Sequence, residues 1–204
     1  MHIVIAGEIY PPEFGGPATY TATMAAVLHA RGIRVSVLLY GDAVVREVVA
    51  YRRVRIPKRL PKPLRYAWYF IQLTRCAAGA DVIYSMGPVN AGLPALLYHL
   101  ITGTPLVVKV VGDYAWEQAV AQGRTSVLLD AFQRRELPGK IAWLKRVQSR
   151  VCRQASLVIT PSQYLRRVVA GWGVPESRVT VVPNAVTLTP PAESRAEAKR
   201  ALGI

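Results

Sequence analysis

The sequence predicts an α/β fold, a doubly wound, mainly parallel sheet with helices on both faces. Three observations predict it. Short apolar runs at 2–6, 33–40, 81–85, 105–111, 157–160 and 179–182 have the length and composition of buried parallel strands. Segments with helical periodicity alternate with them. The first strand–loop–helix–strand unit covers about forty residues, enough for the crossover that adjacent parallel strands require.

Each element follows in order. After strand 2–6 comes a loop rich in Gly and Pro over 7–17. Helix 19–30 places Tyr20, Met24, Val27 and Leu28 on one side, and Gly32 stands where a C-terminal cap would. Strand 33–40 leads to 44–56, one or two short strands carrying Arg46, Arg52, Arg53 and Arg55. Pro63 opens a helix to about residue 78. Strand 81–85, a buried helix over 90–101 and strand 105–111 follow. Residues 112–123 read as a loop with some helical character, and two helices occupy 126–135 and 138–155. Strand 157–160, helix 163–172 and strand 179–182 complete the sheet. A Thr/Pro linker spans 187–192, and Ser194 can cap a last helix over 195–202. In Rossmann-like sheets of this kind, ligands bind outside the carboxyl ends of the strands. The loops of interest are those after Ala6, Ser85, Val111, Thr160 and Val182.

At 204 residues the chain suits one domain, alone or with a fragment of a second. Its net charge of +14 favours anionic partners: nucleic acid, anionic lipid or phosphate-bearing substrates. No RRM, KH or zinc-finger pattern accompanies the charge, so nucleic acid is not the expected partner. Cys76 and Cys152 belong to no CxxC and are expected to be buried thiols. His2, His29 and His99 are scattered and make no metal set. The opening MHIVIAGEIY lacks the basic region and cleavage site of a signal peptide. The longest apolar stretch, 89–101, is broken by Gly92, Pro94 and His99 and falls short of the about 20 residues that span a bilayer. A cytoplasmic protein, soluble or peripheral on the inner face of the cell membrane, is expected.

The first loop, 7–18, is neither GxGxxG nor Walker A, which argues against an NAD-type dehydrogenase domain. It carries Gly15-Gly16-Pro17 just before a helix. Paired glycines let a backbone approach phosphate, and a helix N-terminus adds a positive dipole end. The same residues also suit a plain turn into a helix.

Three segments carry a family resemblance: HIVIAGEIYPPEFGGPATYTATMAAVLHARGIRVSVL, then DVIYSMGPVNAGLPALL with PLVVKVVGDYAWE, and RQASLVITPSQYLRRVVAGWGVPESRVTVVPNAV. The sequence resembles family four of the retaining GT-B glycosyltransferases. The resemblance implies the N-terminal half of a GT-B fold. Residues 1–186 would be the Rossmann-like, acceptor-side domain. Residues 187–204 would be a linker and the start of an absent donor-binding domain. It implies hexosyl transfer from a nucleotide sugar with retention, to a sugar or a lipid-linked acceptor, without metal or other cofactor. A fragment ending at 204 would then be inactive by itself.

Carried over residue by residue, the resemblance puts Gly15 and Gly16 near the donor phosphates. Many relatives have a His before Asp113 that contacts the donor sugar; here that position is Gly112. Asp113 remains as the candidate catalytic group, with a helix or turn cap as its structural alternative. Glu8, Tyr10, Asn90, Tyr114 and Glu117 are candidate acceptor contacts, with capping the simpler reading for Asn90. Ser162 reads as an N-cap.

Nine basic residues lie between Arg46 and Arg75 with Glu47 as the single acid, and Tyr66, Trp68, Tyr69 and Phe70 are interleaved. Such composition suits an anionic membrane surface, with Arg59, Lys62, Arg65 and Trp68 as its contacts. The aromatics also suit an ordinary core. A second basic helix holds Lys140, Lys145, Arg146, Arg150 and Arg153 around Trp143. The alternative function is a non-catalytic Rossmann-like module that binds an anionic membrane or polymer through its Arg-rich face.

Overall fold

The computed structural model describes residues 1–13, 15–42, 49–185 and 199–201. In chain order the elements are β1 (His2–Ala6), α1 (Gly16–Ala30), β2 (Arg34–Tyr40), β3 (Arg52–Ile56), α2 (Lys62–Ala77), β4 (Val82–Ser85), α3 (Gly92–Thr102) and β5 (Leu106–Lys109). Then come α4 (Tyr114–Ala121), α5 (Leu129–Gln133), α6 (Lys140–Gln154), β6 (Leu157–Thr160), α7 (Gln163–Gly171) and β7 (Val179–Val181).

The seven strands form one sheet in the order β3-β2-β1-β4-β5-β6-β7, and every neighbouring pair is parallel. Strand order reverses between β1 and β4, where Ala6 pairs with Ser85. Alternate side chains of β1 go to opposite faces. Val4 and Ala6 join a core with residues of α2, α3, α6 and α7, while Ile3 and Ile5 pack with residues of α1. Both faces of β1 are buried, which is why it reads as a continuous apolar run rather than an alternating one. Each fully buried side chain such as Leu73, Ile83 or Leu106 contributes roughly 1.5–3 kcal/mol over its exposed state.

Most elements fall within a residue or two of expectation. Helix α1 differs in its inward face. Ala18, Thr21 and Ala25 are buried, Tyr20, Met24 and Leu28 are half-buried, and Val27 is exposed. The sheet-facing stripe is built from small residues, and the larger apolar side chains lie along its flanks. Residues 112–123, expected as a loop with some helical character, contain the full helix α4, which the buried Asp113 carboxylate caps by accepting the Trp116 N–H. The helix expected over 126–135 is shorter, Leu129–Gln133. Lys145 Nζ closes the end of that turn by donating to the carbonyls of Phe132 and Arg135 at 2.9 and 2.7 Å. Both cysteines are buried free thiols. Arg46 and Glu47 lie outside the described residues. So do the linker at 187–192 and Ser194; of the helix expected over 195–202, residues 199–201 are described, as helix.

Candidate functional site

The site is built at the point where strand order reverses, since the loops leaving β1 and β4 part there and open a crevice. The β1 loop supplies Glu8 and the β4 loop supplies Asn90. Asn90 Nδ2 donates to Glu8 Oε2 at 2.8 Å and to the Tyr114 hydroxyl oxygen at 3.0 Å. Its Oδ1 accepts from the Tyr66 hydroxyl at 2.6 Å, and its backbone carbonyl accepts from the Tyr40 hydroxyl at 3.0 Å. Through its side-chain amide and its backbone carbonyl, Asn90 thus ties together the ends of β1, β2 and β4 and the starts of α2 and α4. Asn90 is not a helix cap; the residue at the N-cap of α3 is Ala91, whose side chain accepts no hydrogen bond.

Gly87 makes this approach possible. It has φ of +124°, and a β-carbon there would lie 3.1 Å from Glu8 Oε1. The backbone geometry favours glycine, and the absent side chain leaves room for the Glu8 carboxyl.

Burial raises the Glu8 carboxyl above the ordinary range, the Asn90 hydrogen bond opposes the shift, and the charge of Glu117 adds to it. Burial likewise pushes the Tyr66 phenol up to about 12 and raises those of Tyr40 and Tyr114. At neutral pH these tyrosines are therefore hydroxyl donors, set beside a carboxyl acceptor and an amide. A cleft of about 500 Å³ opens over them, lined also by Lys58, Lys62, Arg65, Lys140 and Trp143. Lys58 is paired with Glu13 at 2.6 Å, and the Arg65 guanidinium lies 5.5 Å from the Tyr40 ring centroid. The arrangement suits a polyhydroxylated ligand that also carries negative charge.

Asp113, the expected catalytic group, does not face this cleft. It is 1% exposed. Its Oδ1 accepts from Trp116 N and Gln148 Nε2, both at 2.9 Å, and its Oδ2 accepts from Gln133 Nε2 at 2.8 Å. This is a buried cap that joins α4, α5 and α6. The carboxylate that is exposed nearby belongs to Glu117, one turn into α4. Burial and the Asp113 charge raise its pKa. Tyr10 also departs from expectation. It is 2% exposed, hydrogen-bonded to the Tyr51 hydroxyl and flanked by the Arg53 and Arg55 guanidinium groups. It belongs to the core on the α1 side, packed in one cluster with Ile3, Ile5 and Ala25.

Gly15 and Gly16 stand at the N-terminus of α1 as expected, with unequal roles. Gly15 has φ of +146°, and its β-carbon would meet Ile9 Cδ1 at 3.1 Å; a β-carbon on Gly16 would meet nothing within 4 Å. Lys109, the last residue of β5, is buried with its Nζ 3.9 Å from the Tyr20 ring centroid in α1. Ser162 is the N-cap of α7, accepting from Leu165 N at 3.2 Å. Arg59, Lys62 and Trp68 are exposed, while Tyr69 is fully buried with its hydroxyl donating to the carbonyls of Gly7 and Leu38.

Sequence reasoning missed Tyr40 and assigned Tyr66 to the basic surface. A signal existed for Tyr40: it ends a parallel strand, so it lies on the ligand side of the sheet. Nothing in the sequence places Tyr66 against Asn90, since only the packing of α2 against the sheet brings them together.

The all-parallel sheet and the cleft at its switch point define a Rossmann-like domain of the GT-B type. The chain belongs to the glycosyl transferase 4-like domain family, whose family model matches residues 15–185. No curated protein sequence matches it. Among solved structures it is similar to Anabaena HepE in complex with UDP, with TM-score 0.66 and 18% identity over 100% of this chain and 50% of that one. The lipopolysaccharide outer core galactosyltransferase WaaB gives TM-score 0.62 and 13% identity over 93% of this chain and 47% of that one. The UDP-GlcNAc 2-epimerase of Methanocaldococcus jannaschii gives 0.59 and 12% over 90% and 46%. At these identities the likeness is one of fold. The chain spans about half the length of these structures.

Proposed function

We propose that residues 1–186 form the acceptor-side domain of a glycosyltransferase that moves a sugar from a nucleotide sugar, with retention, to a hydroxylated acceptor. The carrying observation is the Asn90 hub at the β1/β4 switch point, within a chain of the glycosyl transferase 4-like family. Glu8 accepts from an acceptor hydroxyl, and Tyr114, whose oxygen accepts from Asn90, donates its proton to a neighbouring one. Tyr66, whose proton goes to Asn90, offers its oxygen as an acceptor, and Glu117 stands beside them. The N-terminus of α1 at Gly15-Gly16 faces the donor phosphates, which a domain beyond residue 186 would chiefly hold. HepE was solved with UDP and with UDP-glucose, which makes uridine nucleotide sugars the first donors to test. Lys62, Arg65 and Lys140 in the cleft favour an acceptor bearing phosphate, as a lipid-linked sugar does. No metal or other cofactor is assigned to the transfer.

The test is transfer by the intact protein across a panel of nucleotide sugars and phosphorylated acceptors, with the product anomer read by NMR. Turnover that falls at least tenfold in Glu8→Gln and Asn90→Ala is expected. Turnover indifferent to both changes sinks the site, and an inverted anomer sinks retention alone. Residues 1–204 by themselves are expected to give no turnover.

A further inference from the structure

We infer that the outer face of α2, α3 and α6 docks reversibly on an anionic lipid bilayer. The inference does not depend on the identity of the transferred sugar. The three helices lie side by side on one face of the sheet, with α3 between the other two. Each turns its inner side to the core: Tyr69, Leu73 and Cys76 in α2, Ala95 and Tyr98 in α3, Val151 and Cys152 in α6.

The outer side of a helix on a soluble domain ordinarily carries mixed charge. Here the outer side of α2 presents Leu64, Trp68 and Ile71, exposed by 60, 40 and 40% and spaced i, i+4, i+7. Helix α3 presents Leu97, Leu100 and Ile101, exposed by 47, 56 and 68%. Helix α6 presents Lys140, Trp143, Arg146, Arg150 and Arg153, all exposed and three or four residues apart. The face is thus an apolar strip, broadest on α3, bordered by a cationic stripe on α6 and by Lys62 and Arg75 on α2.

The charge has one sign. None of the three helices contains an Asp or a Glu. Apolar side chains over adjacent helices are an exposed patch that water alone does not explain. Their cationic border is complementary to anionic headgroups, and Trp68 and Trp143 are of the residue type that settles at the headgroup level. No described helix is long and apolar enough to cross the membrane, so the face lies on the bilayer rather than through it. Lys62, Lys140 and Trp143 also line the cleft. Docking this face therefore sets the mouth of the cleft against the headgroups.

The test uses the intact protein that carries this chain, with co-sedimentation on vesicles of phosphatidylcholine alone and on vesicles with added phosphatidylglycerol. Binding at least tenfold stronger to the anionic vesicles is expected, weakening between 0.1 and 1 M salt as the Debye length shortens from about 10 to about 3 Å. Arg146→Glu with Arg150→Glu should remove the preference for anionic lipid. Leu100→Glu with Ile101→Glu should lower binding to both vesicle types at least tenfold. Val27→Glu, on α1 across the sheet, should bind as the wild type does. Melting curves confirm that each variant is folded, and the arginine pair decides the matter alone should the Leu100 and Ile101 pair unfold. Equal binding to the two vesicle types, no binding to either, or unchanged binding by the folded variants overturns the proposal. A self-associated protein that these variants turn monomeric, without vesicle binding, would assign the face to a second copy instead.

Discussion

The carboxylate of Glu117 occupies the space that a side chain on Gly112 would fill. A β-carbon built on Gly112 collides with Glu117 Oε1, and no backbone strain attaches to the glycine itself. The side chain at 117 and the missing one at 112 are therefore alternatives for one place beside the cleft.

Gly112→Ala should accordingly be almost neutral for stability, because the obstructing atom ends a flexible side chain. It should displace the Glu117 carboxylate and change the kinetics. If the effect runs through Glu117, it vanishes in a Glu117→Ala background, and a double-mutant cycle on kcat/KM reads that non-additivity. Strict additivity would uncouple the two residues.

Asp113→Ala strips an acceptor from three donors and should cost on the order of 3 kcal/mol, since each hydrogen bond to a charged group is worth about 1.5–3 kcal/mol and cooperation among them is partial. Asp113→Asn should cost less, about 1–2 kcal/mol. It keeps one carbonyl oxygen, yet its amide must face Gln133, whose own Oε1 is held by Trp172 Nε1 at 3.0 Å. Chemical denaturation measures both. A folded, fully stable Asp113→Asn that has lost all turnover would return the residue to a catalytic role.

Glu8 gives a pH dependence. Its carboxyl pKa is raised in the folded protein, so its contribution to stability is fully present below the ordinary value of 4.5 and is lost as pH rises through the elevated value. Glu8→Gln should remove that loss. Relative to wild type, the variant should gain stability as pH rises from about 4.5 towards neutrality. Melting temperatures of the two proteins at pH 4 and pH 8 check the sign, and a difference that does not change with pH contradicts the burial of this group.

The two glycines of the first loop should separate. Gly15→Ala forces a side chain into a left-handed conformation against Ile9 and should cost on the order of 1–3 kcal/mol. Gly16→Val meets open space in the described structure and should leave the melting temperature within a few degrees. If backbone at Gly16 approaches donor phosphate, the same variant still raises KM for the nucleotide sugar. Unchanged kinetics would leave Gly16 a structural turn residue.

The sequence by itself determined the sheet. Strands buried on both faces are continuous apolar runs, and a run such as Ile3-Val4-Ile5-Ala6 has no other place than the interior. Crossover length then made neighbours parallel, and the rule that ligands bind at the carboxyl ends of such strands directed attention to the loops that carry Glu8, Tyr10, Asn90 and Asp113. Ser162 was legible as a cap because the cap is a local interaction with Leu165 N.

Tertiary structure decided what each polar side chain does, because partners far apart in sequence settle that. Asp113 turned inward since Gln133 and Gln148, 20 and 35 residues away, converge on it. Tyr66 and Tyr69 sit in one basic, aromatic segment, yet one lines the cleft and the other is buried with its hydroxyl on the carbonyls of Gly7, just after β1, and Leu38, within β2. Three positions along a helix reverse nothing in composition. They change only the direction a side chain points, and that direction acquires meaning when the helix has been packed against the sheet.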